Sequence, residues 1–190
     1  MADILKFTTN DLPQHFLWQM RDFIRMQWYQ EIKGLDNIVD DTADPLHPEK
    51  WHPTYIVLAK DRVLISAVSV LWKTFNFQGE HYKVYGLGAM MTYPAYRHQG
   101  YGRLIVESAT QHMRQDKDAD FALLQTAPSL EKLYQEHGWE FSPKMTVLSG
   151  SPEVPIDEDG WIMSLFFSER AKIIRDLLNT TPFYFDEVIW

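Results

Sequence analysis

A mixed α/β (α+β) fold follows from three observations. Apolar residues recur at helical spacing near the N-terminus and again after Gly100. Between these periods, from Tyr55 to Thr92, lie short apolar and β-branched stretches joined by polar turns. A compact apolar strand, Phe121–Gln125, comes after the second helical period. Strands that succeed one another with no helix between them form a meander, not a doubly wound parallel sheet.

In chain order, Asp11 and Pro13 mark a helix start. Phe16, Met20, Phe23, Ile24 and Trp28 then give that helix one buried face. Gly34 to Pro53 holds Asp36, Asp40, Asp41, Asp44 and three prolines, with little periodicity, and reads as a long acidic loop. Tyr55–Ala59 is a strand, Lys60-Asp61-Arg62 a polar turn, and Val63–Trp72 a second strand that Phe75 and Phe77 continue. Gln78-Gly79-Glu80-His81 turns the chain into a third strand, Tyr82–Thr92, where Gly86 and Gly88 signal a bulge or a close backbone approach. Gly100–Arg114 is a helix with Leu104, Ile105, Ala109 and Met113 on one face. Ser129–His137 is a short helix with Ser129 as cap and Gly138 as stop. Met145–Leu148 and Trp161–Phe167 are later strands, Ser168–Leu178 is helical, and Phe183-Tyr184-Phe185 opens an apolar tail. No linker or repeat divides the chain, so the expectation is one domain over 1–190, with the acidic loop at 34–53 and a C-terminal extension at 150–190.

Composition narrows the function. The 190 residues are 45% apolar and 23% charged, enough for a sizeable core and unlike a disordered chain. The net charge of −8 argues against coating nucleic acid or an anionic membrane and leaves cationic partners open. The absence of cysteine excludes disulfides, thiolate metal sites and a cysteine nucleophile. No metal-ligating cluster stands out. There is no signal peptide or apolar run of about 20 residues, so a cytoplasmic location is expected.

The chemistry concentrates in Pro94-Ala95-Tyr96-Arg97-His98-Gln99-Gly100-Tyr101-Gly102-Arg103, between a strand and a helix. Gly100 and Gly102 let the backbone turn tightly, and the following helix aims free N–H groups and its positive dipole end at the same space. That pattern suits a phosphate or pyrophosphate, with Arg97 and Arg103 as cationic donors. It is neither a Walker loop nor a dinucleotide fingerprint, because no Gly-Lys-Ser/Thr follows and the preceding strand belongs to a meander.

Beyond the helix come the strand Phe121–Gln125 and Tyr134-Gln135-Glu136-His137-Gly138-Trp139. Strand, Pro-x-Tyr-Arg-x-x-Gly-x-Gly, helix, strand, then Tyr-x-x-x-Gly-Trp resembles the GNAT (GCN5-related N-acetyltransferase) superfamily over roughly Tyr55–Leu148. The resemblance implies a mainly antiparallel central sheet flanked by helices, and acetyl-CoA as cosubstrate of an N-acetyltransferase. It implies that the loop Arg97, His98, Gln99, Gly100, Tyr101, Gly102, Arg103 cradles the pyrophosphate through backbone N–H groups. It also implies that Met90, Met91 and Thr92 pair with the pantetheine arm and polarise the acetyl carbonyl. Tyr134 would protonate the departing thiolate.

The chain departs from the family pattern at two places. Ala127 stands where many members carry a pantetheine-binding Asn. The central strand, Gly86-Leu87-Gly88-Ala89-Met90-Met91, holds no carboxylate to act as general base. An ammonium of pKa ~10.4 must still lose a proton. A water chain, Glu80, His81, the acidic loop and the tail are the alternatives.

Gly138-Trp139, Thr146-Val147-Leu148, Asp157-Glu158-Asp159-Gly160 before an apolar strand and a tail ending Asp186-Glu187-Val188-Ile189-Trp190 are similar to the aminoglycoside 2′-N-acetyltransferase branch, whose central-strand Glu would fall on Gly88. That similarity groups Asp40, Asp41, Asp157, Asp159, Asp186 and the carboxylate of Trp190, with Gln125 on the neighbouring strand, as candidates for binding a small cationic amine. A CoA-binding module without catalysis and a peptide or protein acetyltransferase are the alternative readings. A homodimer, common among relatives, is open.

Overall fold

The computed structural model describes residues 2–27, 46–158 and 160–186. The strands are β1 (Asp3–Thr8), β2 (Thr54–Lys60), β3 (Val63–Phe77), β4 (Glu80–Thr92), β5 (Phe121–Thr126), β6 (Glu140–Phe141), β7 (Val147–Ser151), β8 (Val154–Asp157), β9 (Trp161–Phe166) and β10 (Phe183–Asp186). The helices are α1 (Gln14–Gln27), α2 (Tyr101–Gln115), α3 (Glu131–Gln135), α4 (Glu169–Ile173) and α5 (Arg175–Thr180). A seven-stranded sheet has the order β1-β2-β3-β4-β5-β9-β6, and a three-stranded sheet the order β10-β7-β8. In the larger sheet β1–β2, β2–β3, β5–β9 and β6–β9 are antiparallel, and β4–β5 is parallel. This is the mixed, mostly antiparallel architecture expected.

Contacts divide the chain into two compact units, residues 1–70 with 89–105 and residues 71–88 with 106–190. In the first unit, Phe16, Met20 and Phe23 of α1 pack on Tyr55, Val57 and Ala59 of β2, Leu64 and Ala67 of β3, and Met91. Their i, i+4, i+7 spacing puts the three helix residues on one face. Gln19 locks α1 to the β2–β3 turn. Its amide oxygen accepts from Leu64 N–H at 2.8 Å and its Nε2 donates to the Arg62 carbonyl at 3.0 Å. Asp61 and Arg62 are both left-handed (φ 50° and 69°), the backbone that a two-residue hairpin with native strand twist requires.

The second unit has its own core. Phe75, Phe77, Tyr82, Val84, Phe121, Leu123 and Ile162 pack with Ala171, Leu178, Phe183 and Phe185. Asp120 is buried and saturated. It accepts from Lys83 N–H at 2.8 Å, Ser168 Oγ at 2.6 Å, Arg170 Nε at 2.7 Å and Arg170 Nη2. Burial pushes its carboxyl up, but the hydrogen bonds from Arg170, Ser168 and Lys83 outweigh that and hold it below the usual range.

Several expectations change. β1, β6, β8 and β10 were not legible in the sequence, and the Phe183 tail is a strand lying parallel to β7. The strand expected at Met145–Leu148 runs over Val147–Ser151. Ser129 does not cap a helix: it sits inside a 3₁₀ turn, Pro128–Leu130, and α3 begins at Glu131 without a side-chain cap. Leu104 is 42% exposed, so the buried face of α2 carries Ile105, Val106, Ala109 and Met113 instead. The helix expected over Ser168–Leu178 breaks at Ile174 (φ −86°, ψ 0°) into α4 and α5. Asp11 bonds back to Thr8 N–H and Thr8 Oγ. Trp28 and most of the acidic loop lie outside the described residues.

Candidate active site

The strand end comes first. Ser66 Oγ donates to the Met91 carbonyl at 2.6 Å and lies 2.9 Å from Thr92 Oγ1. Tyr93 N–H donates to Ile65 O at 2.9 Å, holding the last residues of β4 beside β3. The left-handed residue of β4 is Ala89 (φ 48°), next to Gly88.

The chain then makes a 3₁₀ turn, Pro94–Tyr96, in which Tyr96 N–H donates to Tyr93 O and Arg97 N–H to Pro94 O. Two left-handed residues follow, His98 (φ 61°) and Gly100 (φ 83°), curling the backbone before α2. Such alternation makes a concavity lined by N–H groups. A Cβ at Gly100 would meet nothing within 4 Å, although the left-handed backbone there strains any side chain. At Gly102 a Cβ would come within 3.1 Å of Met90 Cε and 3.3 Å of Thr92 Oγ1, so α2 starts in near contact with the strand end. The first turn of α2 leaves N–H groups without intrahelical acceptors, and its dipole favours an anion there. The residues present therefore fit a diphosphate. Arg97, His98, Gln99, Gly100 and Arg103 are exposed, and Tyr101 and Gly102 half-buried. The Arg97 side chain is engaged within the protein: Nε donates to Thr92 O at 3.1 Å and Nη2 to Gln27 Oε1 at 3.2 Å.

Tyr134 lies in the second unit, on α3, and is 4% exposed. Burial pushes its hydroxyl up to about 12, partly offset by a hydrogen bond with the Thr126 side chain at the end of β5. Its ring meets Trp139 edge-on, with centroids 6.3 Å apart, and its carbonyl accepts from His137 and Trp139 N–H. Trp139 is buried, and its Nε1 donates to Thr110 Oγ on α2 at 3.0 Å. Gly138 (φ 89°) makes the turn between them. The Tyr-x-x-x-Gly-Trp block is thus one folded turn. The β4–β5 ladder pairs Val84–Phe121, Tyr85–Ala122 and Gly86–Leu123 and stops there, while β5 continues to Thr126.

Of the acceptor-side candidates, the described residues include Gln125 and Asp157 with their side chains. Gln125 is exposed on β5, its side chain against Gly160, where a Cβ would overlap it at 1.8 Å from Nε2. Asp157 is exposed at the end of β8, opposite Leu148. Glu158 accepts from Ser149 Oγ and donates its N–H to Val147 O. Asp40, Asp41, Asp159 and Trp190 lie outside the described residues, as does the side chain of Asp186. Glu80 and His81 sit at the hairpin end of β4, six and five residues from Gly86, or about 17–20 Å of strand. His81 is hydrogen-bonded to Asn76. Sequence reasoning missed Ser66 and Gln27, whose hydrogen bonds join residues far apart in the chain, and Thr126, which meets Tyr134 from the end of the neighbouring strand; none carries a local signal.

No curated protein matches the sequence. Solved structures do match the fold. Escherichia coli ElaA superposes with a TM-score of 0.59 at 14% identity, covering 86% of this chain and 99% of its own. E. coli YhbS, a GNAT family N-acetyltransferase solved in complex with CoA, gives 0.59 at 15% identity, covering 97% of this chain and 91% of its own. An acyl-CoA N-acyltransferase from Pseudomonas aeruginosa gives 0.56 at 16% identity, covering 86% and 99%. No helix among the described residues is long and apolar enough to cross a membrane. The sequence itself matches the acetyltransferase (GNAT) domain over residues 24–142, a stretch that contains both the glycine loop and the Tyr134 turn. The chain belongs to the GNAT acetyltransferase family, whose members take their acetyl group from acetyl-CoA.

Proposed function

We propose that the protein transfers the acetyl group of acetyl-CoA to a primary amine of a small cationic molecule. The observation that carries the cosubstrate half is the exposed loop 97–103, left-handed at His98 and Gly100 and opening directly into α2. In this reading the N–H groups of the loop hold the pyrophosphate, and the backbone of Met90, Met91 and Thr92 aligns the pantetheine arm. A strand N–H stabilises the oxyanion that forms when the amine attacks the acetyl carbon. The C–N bond forms, the C–S bond breaks, the amine loses one proton and the sulfur gains one. Tyr134, a phenol and so protonated at neutral pH, donates toward the departing sulfur, and burial raises its hydroxyl further. With no carboxylate over Gly86–Met91, proton removal from the amine falls to water or to acidic groups of the acceptor side, Asp157 and the acids at 40, 41, 159 and 186.

A thermal-shift titration with acetyl-CoA tests the cosubstrate half. Wild type is expected to gain stability with ligand as a bound state requires, while Gly100→Trp, which strains the left-handed backbone of the loop and sets an indole on it, gains none. An unshifted wild type at millimolar ligand would sink the reading. The missing strand carboxylate favours one second reading, a module that binds CoA without turnover, which predicts the same shift and no thiol release.

A further inference from the structure

The cationic residues of the loop invite assignment as phosphate ligands, but the contacts of Arg97 point elsewhere. Its guanidinium fork spans two neutral acceptors, the Thr92 carbonyl at the end of β4 and the Gln27 side chain at the end of α1. Four residues before Gln27 on the same helix face, Phe23 meets Tyr93, itself four residues before Arg97, with ring centroids 6.2 Å apart. Tyr93 continues to Tyr96 and Tyr96 to Tyr101, at 6.5 and 6.2 Å. The segment that leads into the loop, Tyr93 to Arg97, is therefore gripped by one face of α1 at two points, one apolar and one polar. Thr92 is held from two sides, its carbonyl by Arg97 and its hydroxyl by Ser66.

We propose that Arg97 is a positioning residue that clamps the 97–103 loop to α1 and to the end of β4, so that backbone N–H groups, and not its charge, bind the diphosphate. The proposal rests on the CoA reading above. Backbone cradles bind well only when their donors are already aimed, because ordering a loop on binding costs affinity. A forked guanidinium reaches two divergent acceptors at once, whereas an ammonium keeps the charge but not the fork.

The test is calorimetric titration of the full chain with CoA, using wild type, Arg97→Lys, Arg97→Ala, Gln27→Ala and the Arg97→Ala/Gln27→Ala double variant. A clamp predicts that Arg97→Lys weakens binding about as much as Arg97→Ala, roughly tenfold, the worth of one hydrogen bond to a charged group. It predicts about a threefold loss for Gln27→Ala, a helix-surface change that leaves the core intact. It also predicts that the double variant binds no worse than Arg97→Ala, since both changes break one contact. Wild-type affinity in Arg97→Lys, or in Gln27→Ala, or additive losses in the double variant, would overturn the clamp while leaving the CoA reading standing. Absence of CoA binding by wild type would overturn both.

Discussion

Tyr134 illustrates what burial does to a single functional group. Its hydroxyl is pushed up to about 12, so it stays protonated well above neutral pH. Tyr134→Phe is therefore expected to slow turnover by about a hundredfold or more, the usual worth of a positioned proton donor, with the Kd for CoA near wild type. Steady-state kinetics beside a binding titration checks this, and an unchanged turnover would remove Tyr134 from the mechanism. The same shift has a stability consequence. The folded pKa lies above the unfolded value of 10, so the contribution of Tyr134 is fully present below pH 10 and is lost as pH rises through about 12. Asp116 has the opposite sign. Burial pushes it up, but hydrogen bonds from Lys83 and Tyr85 prevail and bring it down to about 2. Its contribution is present above 3.8 and lost as pH falls through about 2. Urea titrations at pH 5 and pH 2.5 are expected to show that Asp116→Asn costs stability at the higher pH and much less at the lower; an equal cost at both would contradict this.

Elements show which parts of the fold the sequence makes legible. Helix α1 announces itself because its periodicity matches the face it buries, as Phe16, Met20 and Phe23 show, and strands β2, β3 and β5 because their apolar runs are buried as runs. β6, β8 and β10 do not, because they are short and their pairing partners decide them: β10 is a strand because Phe183 and Tyr184 pair with Val147 and Leu148. The glycine loop and the Tyr134 turn were legible as motifs. The Gln27–Arg97 and Ser66–Met91 contacts were not, since each joins segments far apart in the chain. The start of α4 lies between these cases. Ser168 accepts from Ala171 N–H at 3.1 Å and donates to buried Asp120 at 2.6 Å, so one hydroxyl caps a helix and helps to satisfy a carboxylate. Ser168→Ala is expected to destabilise the protein by about 1–2 kcal/mol in urea unfolding. A change under a few tenths would mean the cap is dispensable.

At the scale of the whole molecule, the charge of −8 coexists with a loop that carries Arg97 and Arg103. Much of the acidic excess sits at Asp36–Asp44, Asp157–Asp159 and Asp186–Glu187, stretches proposed for the acceptor side. If those acids recognise a cationic amine, its KM rises with ionic strength faster than the KM for acetyl-CoA, because charge pairing with an exposed ligand is screened over about 10 Å at 0.1 M salt. Equal salt dependence of the two constants would make the acidic stretches solubilising surface and nothing more. The most direct measurement is release of free thiol from acetyl-CoA across a panel of primary amines, from polycationic to neutral, with mass spectrometry of the amine. The account predicts thiol release matched one for one by acetylated amine, strongest for the cationic members and abolished by Gly100→Trp. CoA binding with no thiol release above the enzyme-free rate for any amine would contradict it.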